Sequence, residues 1–518
     1  MITFNLNWYS MLQQIAPWGV PLCAALLILF VGPFLKKSHL FSFGVAFVTA
    51  LVSIFLAWRG WIEATGDAIG FLLFDKFTYL FILFFLLALV FVLLLSHSYL
   101  KSFGIARPEY YALLLFMVFG MGCMVSGSNL MVIFLGLEIM SVSVYVLCGF
   151  QRTNVLCVEA SLKYFLVGAF ASAFLLLGIA FIYGATNTTD IIALHQSGAM
   201  TFSGDTKIYA LLGLSLMVAG LAFKIAIVPF HFWAPDVYEG APVVVTTFMA
   251  TAVKAAGFAA LLRIIWALFQ WDPVLFTKVV WIGSALTMTV GNVAALLQRN
   301  LKRMLAYSSV AHAGYALIPL VAFPQQSSAV VASIGFYLLT YILMTVGAFA
   351  VLIALIPSEQ SEREGEAPPA LPVEGALPAP IKEHCDMQYL RGMGVKKPFL
   401  GFVMTVFLLS LAGIPPTMGF FGKYYMFLQA VQAGSIWLVV IGLLNSVISV
   451  YYYLGPVVVM YFGGKEETRT QEDTSTWLTS PAAVTAVIWI CFLSVSLLGL
   501  FPSNLLELIQ SSTVAWLS

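Results

Sequence analysis

Three lysines stand inside long apolar runs, where a charge is expensive: Lys224, Lys254 and Lys423. A charged side chain at the centre of a bilayer costs at least about 2.5–3.5 kcal/mol, so such residues are rare and usually mark a path for ions or protons. Glu138 lies in another apolar run, residues 130–150. It sits about eleven residues, roughly 16 Å of helix rise, from one end of that run, a depth similar to that of Lys224 midway along its own. A carboxylate and an ammonium brought together in apolar surroundings lower each other's desolvation cost, and separating them disfavours both charges. A Glu138–Lys224 pair can therefore switch between bound and free, as gated proton transfer requires. The alternative is a static pair joining two helices.

Other residues extend this chemistry. No acidic residue shares the run 242–268 with Lys254, which favours reversible protonation. Lys423 follows Pro415-Pro416 closely; its alternative role is to snorkel toward the membrane surface. Lys163, near the start of the sixth run, either snorkels, pairs with Glu159 or takes part in proton handling. His231 and His312 could pass protons near neutral pH or serve as hydrogen-bonded packing residues. Ser308 and Ser309 stand at helical spacing from His312. Asp236 and Glu239 could cap the next helix or gather protons. Arg263 reads as an interface anchor.

These residues need a membrane scaffold to position them. Of 518 residues, 61% are hydrophobic and 9% charged, and mean hydropathy is +0.98. Soluble proteins carry roughly 25% charged residues, so the class is an all-α polytopic membrane protein. At about 20 apolar residues per span, fourteen helices are expected: 12–34, 40–58, 76–96, 109–126, 129–149, 159–183, 208–232, 242–268, 275–297, 303–322, 328–355, 398–430, 434–462 and 481–501. Two of them carry prolines that break a helix, around Pro229 in the seventh and Pro415-Pro416 in the twelfth. Interrupted helices at membrane depth survive where they are buried or line a wet cavity, and two in one chain suggest paired repeats.

Basic residues divide unequally between the two sets of loops. One set holds Lys36, Lys37, Lys101, Arg107, Arg152, Arg299, Lys302, Arg303, Arg391, Lys396, Lys397, Lys465 and Arg469; the other holds Arg59, Lys76, Lys207 and Lys278. The positive-inside rule makes the first set cytoplasmic and puts both termini outside. Met1–Gln14 lacks a basic signal-peptide region, so the first apolar run reads as a retained span. The stretch 357–397, rich in Pro, Ala and Glu at its centre, reads as a flexible cytoplasmic linker, with docking of a partner as the alternative. Six scattered cysteines without metal spacing read as packing residues. No phosphate-binding glycine motif is present, and the net charge of +1 gives no sign of nucleic-acid binding.

The stretch Val228-Pro229-Phe230-His231-Phe232-Trp233-Ala234-Pro235-Asp236-Val237-Tyr238-Glu239-Gly240-Ala241-Pro242 resembles the antiporter-like membrane subunits of respiratory complex I. So do Phe134-Leu135-Gly136-Leu137-Glu138, residues 300–309 (Asn-Leu-Lys-Arg-Met-Leu-Ala-Tyr-Ser-Ser), and residues 411–417 running into Gly422-Lys423. The resemblance extends from about residue 15 to 500 and is greatest to the subunit N branch, which fits Lys254 and a lysine at position 423. It implies two inverted five-helix repeats, helices 4–8 and 9–13, with helices 7 and 12 broken. The implied divisions are an N-terminal three-helix segment (1–108), the repeats at 109–270 and 271–462, and a C-terminal helix and tail (463–518).

The resemblance further implies that Glu138 pairs with Lys224, that Lys163 modulates this pair, that Lys254 relays centrally and that Lys423 gates the far side. The expected function is proton translocation within an NADH–quinone oxidoreductase of a bacterial inner membrane. Quinone, FMN and iron–sulfur clusters would reside in partner subunits, with no cofactor or metal in this chain. Subunit M and the small subunits K and J would be its neighbours. A sodium/proton antiporter subunit and a purely structural subunit are the rival readings.

Overall fold

The computed structural model describes residues 8–197, 205–355, 383, 385–462 and 481–517. Helices α1 (Trp8–Val31), α2 (Ser38–Glu63) and α3 (Lys76–Ser102) come first, with a small hairpin of β1 (Asp67–Ile69) and β2 (Leu72–Phe74) between α2 and α3. Then follow α4 (Pro108–Ser126), α5 (Leu130–Cys148), α6 (Val155–Thr186) and a short α7 (Ile191–Gln196). Side-chain caps start several of these helices. Asp75 accepts from the Thr78 N–H, Asn129 from Met131 and Asn154 from Leu156, each satisfying an orphan donor of a first turn.

The first interrupted helix is α8 (Asp205–Ile225) followed by α9 (Trp233–Gly240). The sequence places the break around Pro229 within 208–232; in the structure it begins slightly earlier, at Ala226, whose φ is +60°. Proline acts upstream of its own position, because its ring and missing N–H disturb the preceding turn. After α10 (Val243–Phe248) come a π-helical segment (Met249–Val253) and α11 (Lys254–Leu268). Next are α12 (Pro273–Leu296), α13 (Leu301–Leu317) and α14 (Phe323–Leu355), which is kinked at Gln326. A short α15 (Met393–Lys396) precedes the second interrupted helix, α16 (Pro398–Ala412) with α17 (Met418–Gln432). Gly413 between them has φ +84°, a left-handed conformation that glycine adopts without steric cost. The chain ends in α18 (Ile436–Phe462), α19 (Ala482–Leu500) and α20 (Pro502–Leu517).

Among the described residues, twelve segments are long and apolar enough to cross a membrane. One of them is the run Leu301–Leu355, which contains α13, a 3-10 segment (Ile318–Ala322) and α14 and covers the two helices the sequence predicts there. Neither half of the second interrupted helix reaches spanning length alone. The hairpin, α7 and α20 were not anticipated, because each is too short or too polar to register as a span.

Glycines let neighbouring helices touch backbone to backbone. A Cβ on Gly120 would come within 2.6 Å of the Gly136 carbonyl oxygen, and α12 meets α13 in the same way through Gly291 and Gly314. Close approach of this kind is how helices associate without a hydrophobic drive between them. Helices α3, α10, α11, α13 and α14 form the buried centre, while α1, α2, α6, α12, α18 and α19 present outward apolar side chains such as Phe55, Phe170 and Val447.

Candidate functional site

Lys224, Lys254 and Lys423 are each only 4% exposed, and among the described residues none has a carboxylate within 4 Å. Neutral oxygens hold them instead. At the end of α8, the Lys224 ammonium donates to Ser141 Oγ at 2.8 Å and Tyr164 Oη at 3.2 Å. The rings of Tyr145 and Tyr164 lie 5.5 and 5.1 Å from it, close enough for cation–π attraction. A cavity of about 10 Å³ lined by Ser141, Tyr145, Ser172 and Lys224 adjoins it, at the lower limit of the space one water needs.

The expected Glu138–Lys224 ion pair is absent. Glu138 is partly buried on α5, and its Oε1 has no hydrogen-bond partner among the described residues. It remains within electrostatic reach of Lys224. Ser141, one turn further along the same face of α5, takes the contact that the carboxylate was expected to make.

Lys254 follows the π-helical segment directly. It donates to the Ser309 carbonyl at 2.5 Å and to Ser309 Oγ, with the Tyr341 ring 5.7 Å away. One residue earlier, Ser308 bonds Tyr453 Oη, which meets His312 Nε2 at 2.9 Å, and His312 Nδ1 meets Tyr337 Oη. His312 lies within electrostatic range of both Lys254 and Lys423, and Tyr337 packs against Gly422 beside Lys423. Hydroxyls and one imidazole thus occupy the space between the two lysines.

Lys423 reaches back across the second break. It donates to the Ala412 carbonyl and to Ser446 Oγ, both at 2.8 Å, over the Tyr315 ring at 4.6 Å. Ala412 ends α16, so this carbonyl has lost its helical partner. Snorkelling is excluded by the inward direction. In the first break the matching job falls to Trp233, whose indole N–H donates to the Phe223 carbonyl at 3.0 Å. His231 sits in that break, partly buried, with no hydrogen-bond partner for Nδ1 among the described residues.

Lys163 lies apart from these groups. Nearly half exposed, it pairs with Glu159 at 2.7 Å and Asp236 at 2.9 Å. Asp236 and Glu239 both pair with Arg303, so they build a surface network rather than helix caps. Arg263 is no interface anchor. It is fully buried and grips Asp75 through two contacts of 2.7 and 2.9 Å, while its Nε donates to the Val125 carbonyl.

Residues 356–382 and 384, and with them the Pro-, Ala- and Glu-rich middle that reads as a flexible linker, lie outside the described residues. Glu383, further along the same segment, is inserted into the protein and pairs with Lys302, itself only 1% exposed. Lys302, assigned to a loop from the sequence, starts α13 as a buried residue. Sequence reasoning also passed over Tyr164, Tyr337, Tyr341 and Tyr453, because a tyrosine in an apolar run reads as ordinary core.

A bundle organised by two interrupted helices, with buried lysines at the breaks and at a bulge, defines a polytopic membrane protein of the ion-translocating kind. The family described as NADH:quinone oxidoreductase/Mrp antiporter, transmembrane, matches residues 127–449. The chain belongs to that family. It is similar to NADH-quinone oxidoreductase subunit N of Trichlorobacter lovleyi, at 42% identity over 88% of each chain. Subunit N of Desulfovibrio desulfuricans is 41% identical over 81% of this chain and 80% of that one. Among solved structures, a chain of respiratory complex I from Thermus thermophilus superposes with a TM-score of 0.75 at 33% identity, covering 95% of this chain and 98% of the other.

Proposed function

We propose that this chain is a proton-translocating membrane-arm subunit of an NADH–quinone oxidoreductase, the counterpart of subunit N. The observation that carries the reading is the way its buried lysines are held. Lys224, Lys254 and Lys423 rest on hydroxyl and carbonyl oxygens, so each can release a proton without stranding a carboxylate partner in a low-dielectric interior. The cation's desolvation cost is then high enough to make the neutral amine accessible. A change of charge near Glu138 shifts the proton balance at Lys224 through the field. Protons then move by way of Lys254, the Ser308–Tyr453–His312–Tyr337 hydroxyls and imidazole, and finally Lys423. His231 and Lys163 act at the edges of the route, Lys163 by tuning the field around Asp236.

On this reading the chain does no redox chemistry. Quinone, FMN and iron–sulfur clusters belong to partner subunits, and subunits M, K and J flank it in a bacterial inner membrane. Residues 109–270 and 271–462 form the two inverted repeats, and both termini face the periplasm. The test is to replace Lys224 with alanine in the assembled complex and measure NADH-driven proton uptake in sealed vesicles. Loss of coupled uptake with intact assembly is expected; wild-type turnover and proton stoichiometry would overturn the assignment.

The family also contains Mrp antiporters, which favours a second reading as an antiporter subunit. Sodium-driven proton movement by the chain without redox partners would select it.

A further inference from the structure

The end of the molecule that bears the basic loops contains a buried charge pair whose carboxylate, Glu383, belongs to no motif. The Glu383 side chain, 10% exposed, turns inward, and its Oε2 lies 2.5 Å from Lys302 Nζ. Its Oε1 accepts from the Val243 N–H at 3.0 Å and from Tyr99 Oη. Lys302 also donates to the Ala241 carbonyl at 2.6 Å. One carboxylate therefore ties together α3, the start of α10, the start of α13 and the segment preceding α15.

The position matters because of what α13 carries further along. Lys302 and Ser309 are seven residues apart, close to two turns, so they share a face with a separation of about 10.5 Å. Ser309 is the group that holds Lys254. Among the described residues, the ionisable neighbours of the pair are Tyr99 from α3, Cys148 from α5, Cys157 from α6 and Cys385 from Glu383's own segment, with Asp386 and Glu239 further out. Lys302 is the cation in that group.

We propose that Glu383 is the proton-accepting carboxylate at the cytoplasmic end of the lysine file, and that protonating it releases Lys302. This deepens the proton-translocation reading and rests on it. In the step, a proton from bulk water binds Oε2 and the Lys302 N–H···Oε2 contact is given up. The ammonium keeps its own proton and its bond to the Ala241 carbonyl, while Oε1 keeps the Val243 N–H. Lys302 is then a buried cation without a counter-charge, two turns from the serine that holds Lys254. Its field opposes a proton on Lys254 and drives that proton onward. Reionisation of Glu383 returns its proton to bulk water, restores the pair and resets the site, so that Glu383 gates the movement of the Lys254 proton and does not supply it.

Glu383→Gln in the assembled complex tests this, because the amide keeps the shape and most hydrogen bonds but cannot take up the proton. Subunit content, NADH-driven proton uptake and its dependence on pH are measured together. The expected result is normal assembly, proton uptake lowered by on the order of tenfold, and a flattened pH profile, with Glu383→Asp restoring part of both. Uptake and a pH profile equal to wild type would overturn the proposal.

If Glu383→Gln fails to assemble, the double variant Glu383→Gln/Lys302→Met removes both charges and decides the matter. A pair that merely anchors the loop predicts recovery of pumping with assembly, and that outcome also overturns the proposal. Assembly without pumping supports it. Lys254→Met in the same assay separates the levels: impaired Lys254→Met beside normal Glu383→Gln refutes only this step, whereas two normal variants refute proton translocation by this chain.

Discussion

Buried cations in this protein are treated in two opposite ways. Toward the ends of the bundle, Arg263 has Asp75 and Lys302 has Glu383, each at ion-pairing distance, and the half-exposed Arg303 has Asp236 and Glu239. In the interrupted and bulged helices, Lys224, Lys254 and Lys423 are held, among the described residues, by serines, tyrosines and backbone carbonyls. Removing one partner of a buried pair strands the other at a cost of about 3–5 kcal/mol. A lysine among neutral dipoles has no such lock. The Arg263–Asp75 pair therefore holds architecture, whereas on the proposed reading the lysines among neutral dipoles change protonation themselves and Lys302 keeps its proton while its carboxylate partner changes.

The sharpest break of this contrast would come from Arg263. Arg263→Ala leaves Asp75 buried and unneutralised, and a loss of about 3–5 kcal/mol is expected, read as failure to co-purify with the other membrane subunits. Arg263→Met with Asp75→Leu should recover much of that stability, because an apolar replacement of a buried pair is often neutral. A smaller structural but larger functional effect is expected on the same stretch of helix. Lys254→Met should assemble normally while coupled turnover falls by on the order of tenfold. Assembly that collapses along with turnover would erase the distinction between the two kinds of cation.

Glu138 sharpens the contrast at an intermediate level. Acting through the field without contact, Glu138→Gln should lower coupled proton uptake several-fold, and Glu138→Asp should retain most of it. A full loss in Glu138→Asp would mean that contact geometry matters after all. Lys163→Ala should do least: as an exposed pair it contributes at most about 1 kcal/mol, so thermal stability should be nearly unchanged and turnover only modestly lower. The measurement is a melting curve alongside vesicle uptake.

The sequence made the lysines visible for a physical reason. Lys224, Lys254 and Lys423 are charges in runs that should have none, and the prolines at 229 and 415–416 mark backbone that cannot stay helical. Their partners were hidden for the opposite reason. Ser141, Ser309 and Tyr453 are chemically unremarkable inside an apolar helix, and only packing between distant helices shows which oxygen faces which ammonium. Ser141 in particular could not be preferred over Glu138 from spacing, since both lie on one face of α5. Asp75 and Arg263 are 188 residues apart, so Arg263 looked like a residue near a helix end with nothing to neutralise it. Glu383 was masked by its surroundings: a Pro- and Ala-rich stretch averages to a linker, and one buried carboxylate does not alter the average.

The π-helical segment Met249–Val253, ahead of Lys254, packs one surplus residue into a turn. Sliding that surplus past the lysine would swivel its side chain by about 100° around the helix axis, with almost no change in length. Lys254 would then leave Ser309 and face a different wall of the bundle. On that geometry the bulge would serve as a pivot, and a local slippage in winding would connect or disconnect the central amine.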